Sequence, residues 1–213
     1  AVTEPATKIT FEDALPSAVK DGASLTCVGA GVREKKIAII NVKVYAVALY
    51  VDADACKAAL TTGATPLDGA FDKTLAIELA RDVGGETFWD ALEDAVTPRI
   101  RRIATDMATR EDDEGNFMTT TAEYSEECEE RALEEMEMIR DGLGKGGKLE
   151  KGAQISFTFL ETGGEVAMVM KSSLSSGTEI AFKSYELAKA LLDVYVGDDP
   201  ISVEAKKAFE AGC

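Results

Sequence analysis

The spacing of apolar positions changes several times along the chain, and each change marks an element. From Ser24 to Arg33 and from Ile37 to Val51 the chain is crowded with Val, Ile and Tyr residues. That composition suits sheet strands, with Glu34-Lys35-Lys36 as the hairpin turn between them. Residues 8–11 read as a short strand. From Lys73 to Ala80, Leu75, Ile77 and Leu79 alternate on one face, which is a strand signature. Residues 153–160, 164–172 and 178–183 read as three more strands, the first two joined at Gly163-Gly164.

Elsewhere the period lengthens to that of a helix. Asp52 can cap a helix over 52–60, and 63–68 is a loop. After Gly84-Gly85, the residues Phe88, Leu92, Val96, Ile100, Ile103 and Met107 recur at spacings of three and four. Pro98 sits inside this stripe and predicts a bend or split, because it lacks an N–H and crowds the preceding turn. Residues 110–116 form a charged loop. A further helix is expected from Ser125 to Asp141, capped by Ser125, with Cys128, Ala132, Met136, Ile139 and Leu143 on its buried stripe. Its glutamates flank that stripe, so they read as a solvated face and not as a metal site. The glycine-rich stretch from Gly142 to Gly147 follows a helix, so it reads as a terminator instead of a phosphate loop. Ser184 can cap a helix through Val196, Gly197 ends it, and a last helix starts near Ser202.

Strands and helices therefore cluster separately, which predicts an α+β domain with a mostly antiparallel sheet. The 213 residues, 46% of them hydrophobic, suit a single domain over 1–213, with 1–6 as a flexible tail.

Composition then removes several chemistries. Histidine is absent, which excludes Ser-His-Asp triads and the commonest metal ligand. Lys and Arg total 23 against 39 Asp and Glu, for a net charge of -16. On average such a chain repels nucleic acid and anionic membranes. Cys27, Cys56, Cys128 and Cys213 are scattered without a CxxC. That argues against zinc, against a disulfide framework, and for a reducing compartment. The expected setting is the cytoplasm or a plastid stroma, with no membrane insertion. The N-terminus, Ala1-Val2-Thr3-Glu4-Pro5, resembles a mature or trimmed end.

One residue stands out chemically. Arg33 ends the run Cys27-Val28-Gly29-Ala30-Gly31-Val32-Arg33. A guanidinium on an apolar sheet is costly unless something anionic sits against it, and the two glycines leave room for another backbone or a ligand. Arg33 is either the cationic end of a pocket or a surface or ion-paired arginine near a hairpin turn.

The block from Gly29 to Arg33, followed by the strand from Lys43 to Val51, resembles the chalcone isomerase family. So do Val96-Thr97-Pro98-Arg99-Ile100 and the C-terminal block from Ala190 to Ser202. The resemblance runs from about residue 7 to residue 210. It implies an open-faced β-sandwich with helices on a large antiparallel sheet. The family includes true isomerases, which cyclise chalcones to flavanones, and plastid proteins that bind fatty acids without catalysis. A third group assists flavonoid synthesis.

Residue by residue, the resemblance divides these roles. Arg33 matches the arginine that stabilises the enolate in the isomerases. Where they carry a threonine in a water-organising network, this chain has Tyr45. Their helix tyrosine and asparagine fall at Phe88 and Ala95, and their substrate-selecting threonine falls at Val194. With the arginine kept and most of the polar partners lost, the chain looks closer to the fatty-acid-binding branch, or to a sequence near the branch point. In that branch an arginine and a tyrosine hold the carboxylate, roles that Arg33 and Tyr45 fit. The expected ligand-binding set is Arg33, Tyr45, Phe88, Ala95 and Val194, in a monomer with no cofactor. The ligand is a fatty acid or a chalcone-like small molecule. A weak chalcone isomerase using Arg33, or an auxiliary flavonoid-binding protein, are the alternatives. Trp89 and Met107 read as core packing; Tyr185 and Tyr195 flank the late helix, and Tyr195, which follows Val194, either lines the pocket or, as the favoured reading, packs in the core.

Overall fold

The computed structural model describes residues 1–18, 21–66, 69–108, 122–143, 147–160, 165–175 and 179–213. Five elements precede the first helix: β1 (Val2–Thr3), β2 (Thr10–Phe11), β3 (Ala14–Pro16), β4 (Ser24–Ile37) and β5 (Ile40–Val51). Then come α1 (Ala53–Thr61), β6 (Lys73–Leu79), β7 (Val83–Gly84), α2 (Gly85–Ala108) and α3 (Ala122–Gly142). The chain ends with β8 (Lys148–Leu149), β9 (Gln154–Phe159), β10 (Met168–Ser172), β11 (Glu179–Phe182), α4 (Tyr185–Val196) and α5 (Val203–Gly212). The expected 110–116 loop, the Gly163-Gly164 turn and the Met107 side chain lie outside the described residues.

Seven strands form one antiparallel sheet in the order β11-β10-β9-β6-β5-β4-β3. Strand alternation decides which side chains meet the helices. On β5, Tyr45, Val47, Leu49 and Val51 join the main core together with residues of α2, α3 and α4. Ala46, Ala48 and Tyr50 face the other way, where Phe11, Leu25 and Cys27 form a smaller cluster with Val2, Ile9 and Leu15 against it. The central strand is therefore buried on both faces from Tyr45 to Val51.

Helix ends follow the expected capping chemistry. Asp52, Ser184 and Ser202 each accept a backbone N–H three residues on, from Ala55, Leu187 and Ala205. On α3 the stripe of Cys128, Ala132, Met136, Ile139 and Leu143 is buried. The helix begins at Ala122, however, so Ser125 lies inside its first turn and is not the cap.

Four further expectations are corrected or refined. The hairpin turn is Ala38-Ile39, not Glu34-Lys35-Lys36, and Ala38 adopts the left-handed region at φ 55°. The ladder continues through Glu34↔Lys43, Lys35↔Val42, Lys36↔Asn41 and Ile37↔Ile40. Charged residues are tolerated there because this end of the hairpin is solvated, and Glu34 opposite Lys43 is a favourable cross-strand pair. Helix α2 runs unbroken through Pro98. Pro98 and Asp94 are both exposed, so water can satisfy the carbonyl that proline leaves free. Residues 1–6, expected to form a tail, carry β1 paired to β2. There the buried Glu4 carboxylate accepts the Ala6 and Thr7 N–H groups at 2.9 and 2.6 Å.

The fourth concerns the cysteines. Cys56 and Cys213 form a disulfide with a Cα–Cα distance of 6.0 Å, whereas Cys27 and Cys128 are buried outside any disulfide. The two partners are 157 residues apart, so no spacing motif marks them. Only the return of α5 across β4 brings them together. The pairing corrects the expectation that the scattered cysteines form no disulfide framework.

Helix α5 lies directly on β4, and the two glycines explain how. A Cβ on Gly29 would fall 2.6 Å from the Ala208 carbonyl oxygen, and one on Gly31 would fall 2.4 Å from Ala205 Cα. The room left by Gly29 and Gly31 is thus filled by another backbone. No helix among the described residues is long and apolar enough to cross a membrane.

Candidate functional site

On β4, Gly29, Gly31 and Arg33 pair with Leu49, Val47 and Tyr45 of β5, so all three point to the helical side of the sheet. Gly29 and Gly31 lie beneath α5. Arg33 lies at the beginning of that helix, where Ser202 Oγ donates to the Val32 carbonyl at 2.7 Å. The Arg33 guanidinium donates through Nη1 to the Glu34 and Ile201 carbonyls, at 2.5 and 3.5 Å. It is half-buried, and no carboxylate pairs with it among the described residues.

Beside Arg33 is a cavity of about 240 Å³ between the free end of the β4–β5 hairpin, α2 and α4. The five sequence-derived candidates, Arg33, Tyr45, Phe88, Ala95 and Val194, all line it. Val44, Leu92 and Ile201 add apolar wall, and Ile37 and Val42 of the hairpin extend it outward. Tyr45 and Phe88 are in ring contact, with centroids 6.0 Å apart. An open polar cleft adjoins the cavity, shares Arg33, Lys35 and Thr87 with it, and adds Asp90, Asp94 and Asp199. Arg33 therefore stands at the junction of an apolar chamber and a solvated one.

Of the two readings of Tyr195, the structure takes the less favoured one. Tyr195 lines the cavity, and its hydroxyl lies 2.9 Å from that of Tyr45. Burial pushes both phenols above their ordinary range, and more strongly for Tyr195. The Tyr195 hydrogen bond and the nearby Arg33 charge oppose that rise at Tyr45. Both groups stay protonated near neutrality, so the pair holds two O–H donors and uses one between the rings. The position of Tyr195 after Val194 marks it as a candidate, although neighbouring residues do not ordinarily share a helix face. Both reach the cavity because α4 is buried almost all round. Sequence reasoning missed Lys35, Arg81 and Thr87, which border the cavity.

A buried ion pair fixes α2 to α4 behind this wall. Asp193 Oδ2 accepts Arg99 Nε at 2.9 Å and Arg102 Nη2 at 2.7 Å, and the Asp193 side chain is only 8% exposed. Arg99 also donates to the Asp199 carbonyl, which ties the loop leading to Ile201 into the same cluster.

These features define a class: an α+β fold whose antiparallel sheet and helical layer enclose an apolar cavity with one cationic end. The chain belongs to the chalcone isomerase-like family, whose sequence profile, described as "Chalcone isomerase like", matches residues 23–210. The crystal structure of the Arabidopsis thaliana fatty-acid binding protein AtFAP1 superposes with a TM-score of 0.70 at 16% identity, covering 99% of this chain and 95% of that one. At that identity the likeness speaks for the fold. No curated protein sequence matches the chain.

Proposed function

We propose that this protein binds a fatty acid or a similar amphiphilic carboxylate without transforming it. The observation that carries this reading is the Arg33 guanidinium, half-buried at the edge of an apolar cavity, with carbonyl oxygens as its only protein partners among the described residues. A carboxylate would supply the missing charge through a charge-assisted, potentially bidentate contact. Tyr45 would add a second donor while accepting from Tyr195. The structural neighbour AtFAP1 is a fatty-acid binding protein by name, which is consistent with this reading.

Magnitudes support it. Each buried methylene contributes about 0.8 kcal/mol before ordering costs. About ten of them supply roughly 8 kcal/mol gross, enough for micromolar binding. The 240 Å³ cavity is below the usual range of roughly 300–1,000 Å³ for small-molecule pockets. It therefore suits a medium-length chain better than a long or bulky ligand.

The wall residues weigh against an isomerase. Phe88, Ala95 and Val194 offer no hydroxyl or amide to orient a phenolate or organise water. Arg33 could still polarise a carbonyl, so turnover must be measured as well as binding. The test is calorimetric titration with dodecanoate, paired with chalcone absorbance. Micromolar binding that weakens about tenfold or more in Arg33→Ala, with no chalcone loss above the spontaneous rate, supports the proposal. Equal affinity in Arg33→Ala sinks the head-group role, and Arg33-dependent chalcone loss would make the protein an isomerase.

A further inference from the structure

The hairpin carrying Arg33 and Tyr45 extends beyond the sheet. β6 pairs with β5 only from Tyr45 onward, and β3 reaches β4 only near Thr26. Among the described residues, the segments 34–37 and 40–43 therefore pair only with each other. At about 3.3 Å per residue this arm is roughly 13 Å long, and its cavity side stays on the body: Lys35, Ile37 and Val42 line the cavity with Asp82, and Lys43 Nζ donates to the Ala6 carbonyl at 2.6 Å.

The tip of this arm is apolar and uncovered. Ile37 is 56% exposed, Ile39 92% and Ile40 65%. Its flanks are cationic. Residues 33–44 contain Arg33, Lys35, Lys36 and Lys43 against the single acid Glu34, in a chain whose net charge is -16. Lys35 and Ile37 lie on the cavity side and line its mouth, whereas Lys36 belongs to the opposite face of the arm. The apolar surface thus continues from the tip into the cavity wall.

We infer that the β4–β5 tip docks this protein on an anionic lipid surface, with the isoleucines at the acyl boundary and the lysines against the headgroups. The chain does not cross the bilayer. The cations sit where a surface-bound tip would meet anionic headgroups, and the cavity mouth opens beside them. At physiological salt, screening limits repulsion between the acidic body and the headgroups to about 8 Å, while lysines at the surface are attracted to them. Docking requires only the arm, so it stands whether or not the cavity ligand is a fatty acid.

The experiment is cosedimentation of the intact chain with phosphatidylcholine vesicles, with and without phosphatidylglycerol, beside dodecanoate titration of the same samples. Binding is expected only with the anionic lipid. Ile39→Asp should cut partitioning at least about tenfold, and Lys36→Gln about fivefold. Neither residue lines the cavity, so dodecanoate affinity should not change. Ile39→Trp should blue-shift its emission with anionic vesicles alone. Arg33→Ala should lose dodecanoate while keeping most vesicle binding, which separates the two readings. The inference is overturned if anionic vesicles bind no protein, if Ile39→Asp sediments as well as the parent, or if Ile39 instead supports a dimer in sedimentation equilibrium.

Discussion

Gly31 on β4 and Ala205 on α5 touch so closely that a Cβ on Gly31 would fall 2.4 Å from Ala205 Cα. Neither residue lines the cavity, yet their contact sets how α5, which begins beside Arg33, lies on the sheet. Gly31→Ala must push α5 away. It should destabilise the fold by about 2–3 kcal/mol and weaken dodecanoate binding, because Ile201 and Ser202 move with the helix. Gly84→Ala is the control, since its Cβ would have no neighbour nearer than 3.4 Å. Urea unfolding and calorimetry read both effects. An unchanged midpoint in Gly31→Ala would show that the contact is soft.

The hydroxyl pair Tyr45–Tyr195 predicts non-additivity. Removing either hydroxyl leaves the other buried without its protein partner, a cost of about 1–3 kcal/mol. Tyr45→Phe plus Tyr195→Phe should therefore cost less together than the sum of the single variants. For dodecanoate, Tyr45→Phe should lose more affinity than Tyr195→Phe. Equal losses would place both hydroxyls on the head group.

The same pair sets an alkaline limit. Burial raises both phenols above their ordinary value of 10.0. A raised folded value means that the native state holds protons the unfolded chain has released. That stabilisation is complete below about pH 10 and is lost as pH rises through the folded values. The urea midpoint should fall above pH 10, and less steeply in the double phenylalanine variant. A steeper fall in that variant would contradict the sign.

Asp193 predicts a different kind of loss. Its carboxylate is shared by Arg99 and Arg102, and Arg99 is itself only 17% exposed. Breaking one partner of a buried pair leaves an uncompensated charge, so Asp193→Ala should cost about 3–5 kcal/mol. Arg102→Ala should cost less, because that side chain is 51% exposed. Chemical denaturation distinguishes the two.

Reduction tests the covalent link. The Cys56–Cys213 loop is long, so its loss should lower stability by about 2–4 kcal/mol. Cys56→Ser should reproduce the effect of dithiothreitol on thermal unfolding. Cys27 and Cys128 are buried and should react with thiol reagents only on unfolding. Identical melting with and without reductant would argue that the pairing contributes nothing.

Much of this was legible because local rules and tertiary packing agree. The apolar run up to Val51, rich in Val, Ile and Tyr, gave the central strand, and Asp52, Ser184 and Ser202 marked three helix starts. The five candidate residues meet at one cavity because Arg33 and Tyr45 are cross-strand partners, with α2 and α4 facing them. The turn was misplaced because Glu34-Lys35-Lys36 is the most polar stretch of the hairpin. At an unpaired arm polarity no longer distinguishes strand from turn, and Ile37 to Ile40 carry no glycine to mark the reversal. The Tyr45–Tyr195 hydroxyl contact and the disulfide were hidden for another reason. Both depend on where α4 and α5 finally rest, which no local pattern encodes.

The disulfide also decides how the protein would yield to force. It closes residues 56–213 into a covalent ring and leaves residues 1–55, including β4 and β5, outside. Tension applied between the two ends could extend only the outer segment, to a contour of about 190 Å. Arg33 and Tyr45 would be stripped from the cavity while α2 and α4 remained within the ring. Under load, the oxidised molecule would release its ligand long before it lost its last helix.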